Sequence, residues 1–187
     1  MSRLAVFTSG NGSNFQAIAE RIASNRKHTL VCMICDRKNA FSFTRAERLG
    51  IKSYYIPYAG RTREEAEKDI SDVLESEKID MVSLAGFMRI FTCGFVSRYS
   101  GRIVNIHPAL LPKYPGAHGI AESFASKDRE LGITIHYVDC GVDTGAVILQ
   151  KSFIRDFSEP IEEIEKKIHK LEYSFYPEAV EKLLDAF

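Results

Sequence analysis

From Arg3 to His107, short apolar, β-branched runs alternate with longer segments whose apolar residues fall on one helical face. That alternation constrains the fold more than any other property of the chain. Strands are expected at Arg3–Thr8, Thr29–Cys35, Lys52–Ile56 and Met81–Ala85, with a further one beginning at Ile103. Between them come a helix with Phe15, Ile18, Ala19 and Ile22 on one side and a second over Ala40–Leu49 closed by Gly50. A charged helix follows over Arg63–Ser76, then a short one near Phe95–Tyr99. Strands separated by helices cannot pair as hairpins, so the pattern predicts an α/β fold. Its sheet is Rossmann-like, mostly parallel and twisted, with helices on both faces.

Downstream, Ile120–Ser126 reads as a helix, and Ile133–Val138 and Ala146–Phe153 read as strands joined by a glycine-containing loop, Asp139–Gly145. Apolar residues at 161, 164, 168, 171 and 175, then 179, 180, 183 and 184, predict a long amphipathic helix bent near Pro177. No repeat, low-complexity tract or linker interrupts the pattern, and residues 1–187 are expected to form a single domain.

Lys and Arg number 25, as do Asp and Glu, giving a formal net charge of zero. Nucleic-acid-binding domains carry a basic excess, so nucleic acid is not an expected ligand. No apolar run reaches membrane-spanning length and no secretory h-region opens the chain, which predicts a cytoplasmic protein without membrane contact. Cys32 and Cys35 have redox or zinc spacing but lie within a strand pattern. Their sulfurs would then point to opposite faces, and no second cysteine pair completes a metal site; no metal is expected.

Ligands of open α/β sheets collect at the carboxyl ends of strands. Three features converge there. The turn Ser9–Asn14, reading Ser-Gly-Asn-Gly-Ser-Asn, sits between a strand and a helix, where free backbone N–H groups and the helix dipole favour an anion. It lacks the third glycine of a dinucleotide fingerprint and the lysine of a P-loop, so a phosphate monoester is its expected occupant. The second feature is Gly86-Phe-Met-Arg-Ile-Phe91. The third is the strand end at Ile103–His107, with Asn105 and His107 two positions apart on one face, followed by Pro108, Pro112 and Pro115. Asn105 offers an amide donor for a developing oxyanion, and His107 a proton-transfer group near neutral pH. Asp143 is the natural carboxylate to charge and orient that imidazole, although spacing does not separate it from Asp139. His118 and His136 are weaker candidates.

Four blocks resemble the folate-dependent phosphoribosylglycinamide formyltransferase family: Ser9–Asn14, Leu84–Ile90, Asn105–Gly116 and Asp143–Gln150. They occur in the family's order over nearly the whole chain. The Asn-x-His-Pro block with a later Asp-x-Gly marks the wider formyltransferase group, whereas the Gly-Asn-Gly-Ser-Asn turn and the Lys-Tyr-Pro-Gly loop narrow it. The resemblance implies transfer of a formyl group from 10-formyltetrahydrofolate to the amine of phosphoribosylglycinamide in purine biosynthesis, with small-molecule partners only and a monomeric or homodimeric enzyme. It implies Asn105, His107 and Asp143 as the catalytic trio. Gly12, Ser13 and Asn14, with His169, Lys170, Leu171 and Glu172, fall at its phosphoribosylglycinamide site. Arg63, Met88, Arg89, Ile90 and Phe91, with Asn105, Asp139, Cys140, Gly141, Val142 and Asp143, fall at its formylfolate site. Read without the resemblance, Glu172 is a solvated helix face and Arg63 a helix-start charge. Thr144 stands where the family more often has Gly, Ala or Ser. A formylfolate hydrolase, a methionyl-tRNA formyltransferase and a silent ligand-binding module are the competing readings. The first typically carries a further N-terminal domain and lacks the phosphate turn, and the second needs a tRNA-binding domain. The intact trio argues against the third.

Overall fold

The computed structural model describes residues 1–187. Seven strands form one sheet: β1 (Arg3–Thr8), β2 (Thr29–Cys35), β3 (Lys52–Tyr55), β4 (Met81–Leu84), β5 (Ile103–His107), β6 (Glu130–Tyr137) and β7 (Val147–Ile154). Their spatial order is β3-β2-β1-β4-β5-β6-β7. The first five are parallel, and β6 and β7 add antiparallel. Six helices connect or cover them: α1 (Ser13–Asn25), α2 (Ser42–Arg48), α3 (Arg63–Ser76), α4 (Cys93–Arg98), α5 (Gly119–Ala125) and α6 (Ile161–Leu184). None is long and apolar enough to cross a membrane.

Alternation along the central strands builds two cores. On β1, Leu4 and Val6 join Phe15, Ile18, Ile164 and Val180 of α1 and α6. Ala5 and Phe7 face the other way and join Ile70 and Leu74 of α3 with Phe87, Phe91 and Phe95. Cys32 and Cys35 separate in the same manner, one into each core. Burial pushes the Cys32 thiol up to about 12, leaving it a neutral packing group.

Several boundaries move from the expected ones for visible reasons. The second helix begins at Ser42 rather than Ala40, with Ser42 itself buried and its N–H bonded to the Gly10 carbonyl. β6 begins at Glu130, ahead of the expected Ile133. Gly132 hides this extension in the sequence, because glycine reads as a strand breaker. Here a Cβ would lie 2.0 Å from the Lys151 carbonyl oxygen, so only glycine admits the backbone of β7. α6 continues through Pro177 to Leu184 as one helix.

The strand order runs outward from β1 in both directions, to β2 and β3 on one side and to β4 and β5 on the other. The topological switch therefore lies between β1 and β4. There the Ser9 N–H bonds to Gly86 O at 3.1 Å, and Ser9 Oγ accepts from Met88 N at 2.9 Å. The glycine-rich turn and the Gly86–Phe91 loop are fastened together at the point where such sheets open a ligand crevice.

Candidate active site

A cavity of about 440 Å3 opens over these strand ends. Its walls are Gly10–Asn14, Leu84–Phe91, Asn105–Pro108 and the loop after β6, with His169 and Glu172 of α6 closing one side. A second cavity, of about 500 Å3, lies behind the proline loop between Leu110–Tyr114 and Asp128–Leu131. There Lys113 and Tyr114 both bond to Asp128 at 2.7 Å.

The candidate reaction groups meet at the end of β5. His107 is buried at 3% exposure, and its two ring nitrogens face acceptors: Nδ1 lies 3.3 Å from Asp143 Oδ2 and Nε2 lies 2.7 Å from the Tyr114 carbonyl. Only a doubly protonated ring donates to both. Asp143 Oδ2 also accepts from Gly116 N at 2.7 Å. Its Oδ1 faces Asn105 Nδ2 and His136 Nε2, each at 3.5 Å. Burial alone would raise the Asp143 pKa. The His136 hydrogen bond, the Gly116 N–H and the two imidazoles outweigh it, so its carboxyl sits below the ordinary carboxylate range.

Sequence reasoning rated His136 weakly, yet it completes the cluster. Across the antiparallel β5–β6 pair it stands directly opposite Asn105, with Nε2 3.2 Å from Asn105 Nδ2. Its Nδ1 faces the Tyr137 carbonyl at 2.8 Å, which fixes a proton on that nitrogen. Only the strand register brings these residues together, and no spacing in the sequence records it. Asp139 and Asp143, which spacing left equivalent, part company here. Asp139 Oδ1 turns back on its own loop, accepting from Gly141 N at 3.0 Å and Thr144 Oγ1 at 2.7 Å. Thr144 is thus a staple of the loop, and it requires glycine at 141, where a Cβ would sit 1.9 Å from its hydroxyl.

The proline loop delivers two groups, the Tyr114 carbonyl and the Gly116 N–H. Thr134 holds it: its hydroxyl donates to Ala109 O at 2.7 Å and accepts from Leu111 N at 3.0 Å. Gln150 Nε2 adds a bond to Leu111 O at 2.8 Å.

On the α1 side, Gly12 takes a positive φ of 73° and no side chain caps the helix, leaving its first N–H groups free. A Cβ on Gly12 would lie 2.7 Å from Ser42 Cβ, so the turn depends on this glycine for its shape as well as for access. Glu172 is buried rather than solvated, accepting from Asn14 Nδ2 at 3.1 Å and facing His169 Nδ1 at 2.9 Å. That bond from Glu172 raises the His169 pKa against the effect of burial.

On the opposite wall, Phe87 and Phe91 stack 5.5 Å apart and anchor the loop in the core, whereas Met88 and Ile90 stay more than half exposed. Exposed Val142, from the loop after β6, lines the same cavity. Arg89 is fixed by Asp36, with Nε 2.6 Å from Oδ2. Of the expected site residues, Arg63, Cys140, Lys170 and Leu171 are not among the cavity-lining residues. Arg63, Cys140 and Lys170 are exposed, and Leu171 packs against the core.

Residues 2–180 match the family model described as Formyl transferase. The chain is 39% identical to Bacillus subtilis phosphoribosylglycinamide formyltransferase over 98% of its own length and 95% of the relative's. It is 37% identical to the Escherichia coli enzyme of the same name, over 93% and 83%. The solved phosphoribosylglycinamide formyltransferase of Streptococcus pneumoniae superposes with a TM-score of 0.91 at 43% identity, covering 98% of this chain and 99% of that one. The chain belongs to the formyl transferase family, on its phosphoribosylglycinamide formyltransferase branch.

Proposed function

We propose that the enzyme moves a formyl group from 10-formyltetrahydrofolate to the primary amine of phosphoribosylglycinamide. The observation that carries this reading is the placement of the Asn105–His107–Asp143 cluster between an uncapped helix start and an apolar slot within one cavity. The substrate phosphate docks on Gly12, Ser13 and Asn14, and Glu172 with His169 receives the glycinamide end. The flat pterin enters between Met88–Phe91 and the Asp139–Val142 loop, where Met88, Ile90 and Val142 offer exposed apolar surface.

The neutral amine attacks the formyl carbon, and the carbonyl π electrons move onto oxygen. An Asn105 N–H donates to that oxyanion, and protonated His107, whose Nε2–H stays on the Tyr114 carbonyl, turns its Nδ1–H to it from the looser 3.3 Å contact with Asp143. Asn105 has two amide hydrogens, and the one directed at Asp143 across 3.5 Å is weakly engaged and available to a stronger acceptor. Collapse of the tetrahedral adduct breaks the bond to the folate nitrogen. That nitrogen takes up a proton through the imidazole, and the ammonium formed by attack returns one to the cluster, so the protons balance. No other co-reactant enters.

The absorbance change that accompanies formation of the deformylated folate tests the assignment. Turnover is expected only when phosphoribosylglycinamide is present. Equal turnover in its absence identifies a hydrolase and overturns the proposal.

A further inference from the structure

The proposed phosphate turn contains no charged side chain: residues 10–14 are Gly, Asn, Gly, Ser and Asn. A phosphate monoester carries close to two negative charges near neutral pH. The cavity's one guanidinium, Arg89, is paired with Asp36. The nearest fixed cation of the turn is instead Arg45, on α2, which no motif singles out. Its Nε donates to Asn11 O at 2.8 Å, its Nη2 donates to Asn11 Oδ1 at 3.1 Å, and its Nη1 donates to Gln16 Oε1. One rigid fork therefore grips the peptide before Gly12, the side chain of the same residue and the first turn of α1. The Phe41 ring lies 5.0 Å from the guanidinium carbon and backs it.

Both ends of this contact are built for it. Ser42 N bonds to Gly10 O at 3.1 Å, and Ser42 Cβ is the atom that a Cβ at Gly12 would strike. The start of α2 is thus the floor of the turn. Arg45 uses three of the five N–H groups a guanidinium offers on acceptors of the turn and α1, and it retains its full charge while doing so. Lysine, a single point donor, cannot reproduce that fork.

We infer that Arg45 is a positioning and specificity residue for the phosphorylated substrate: it holds the Gly10–Asn14 turn in its anion-binding shape and supplies the positive charge beside it. The inference rests on the phosphate docking proposed above, and the test separates the two. Steady-state rates are measured with phosphoribosylglycinamide and with the corresponding riboside lacking the phosphate, in the wild-type enzyme, in Arg45→Lys and in Gln16→Ala. The wild type should prefer the phosphorylated substrate strongly in kcat/KM. Arg45→Lys should cut that preference by about tenfold or more, through KM for this substrate, with KM for the folate unmoved. Gln16→Ala removes one acceptor from the first turn of α1 and should cut it about threefold. It keeps the test open if Arg45→Lys fails to fold. An Arg45→Lys enzyme that loses rate equally on both substrates, or that keeps the wild-type preference, overturns the role of Arg45. A wild-type enzyme with no preference overturns the phosphate docking itself.

Discussion

Asp143 is the residue on which the cluster turns, because each carboxylate oxygen serves a different neighbour. Oδ2 faces His107 and the Gly116 N–H, and Oδ1 faces Asn105 and His136. Its backbone has a φ of 56°, a region that Asp and Asn tolerate better than other residues bearing a Cβ. Asp143→Asn therefore keeps the loop and removes only the charge. With no carboxylate to hold the imidazolium, kcat should fall on the order of 100-fold or more, whereas the folate, whose proposed slot is formed by Met88–Phe91, should bind within about threefold of wild type. Single-turnover rates and a folate-binding titration check this, and near-normal turnover would remove Asp143 from the mechanism. Asn105 and His107 were legible beforehand because two polar groups at the end of an apolar strand have no packing explanation. Asp143 was legible only as one of two candidates. What separates it from Asp139 is the direction each side chain takes within a seven-residue loop, set by Thr144 and the Gly116 N–H, and those contacts are invisible to spacing.

The helix α6 joins the cavity to the sheet beneath it. Glu172 enters the cavity wall, and one turn on, fully buried Tyr176 reaches into the sheet. Its hydroxyl donates toward Leu84 O at 2.9 Å and Val104 O at 3.2 Å, and it accepts from Ser83 Oγ at 2.8 Å. Leu84 leads into the Gly86–Phe91 loop and Val104 into Asn105, so one phenol ties β4 to β5 just below both. Tyr176→Phe changes no packing volume but leaves a buried hydroxyl and two carbonyls short of a partner. It should cost about 1–3 kcal/mol of stability, at roughly 2–4 °C of Tm for each kcal/mol in a chain of this size. Ser83→Ala added to it should cost less than the sum of the two single changes, since both delete the same bond. Calorimetric unfolding of the four proteins decides it; strict additivity with no loss in Tyr176→Phe would show the hydroxyl to be idle. Periodicity located this helix and its apolar stripe correctly. It misread Glu172 as solvated, because the partner that buries it, Asn14, lies 158 residues away in the chain.

At the scale of the molecule, the end of α6 closes the protein by fastening its last turns to its first elements. Ser2 Oγ donates to Leu184 O at 2.8 Å, Arg21 pairs with Glu181 at 2.7 Å, and Lys27 and His28 meet Asp185 at 2.6 and 2.9 Å. Glu181 is held below the ordinary carboxylate range: burial pushes it up, but Asn25 and Arg21 hydrogen bonds win. The bonds from Lys27 and His28 lower Asp185, and the reaction cluster lowers Asp143. A carboxyl group whose pKa is lower folded than unfolded stabilises the fold fully above its unfolded value, about 3.9 for Asp and 4.3 for Glu. That contribution is lost as pH falls from there through the folded values. The one group shifted the opposite way within the accessible range, His169, gives its stabilisation below about 6.5 and loses it as pH rises through its raised pKa. Stability should thus hold between these limits and fall steeply below about pH 4, with the α1–α6 seam taking part in that loss because Glu181 and Asp185, both lowered, fasten it. Thermal unfolding followed from pH 7 to pH 3 tests the limb, and hydrogen exchange along α6 tests its location. In Glu181→Gln the acid limb should be shallower, since the variant has no proton to gain at that position. A Tm that stays level down to pH 3, or an acid limb of unchanged slope in Glu181→Gln, would show that these carboxylates do not hold the molecule closed.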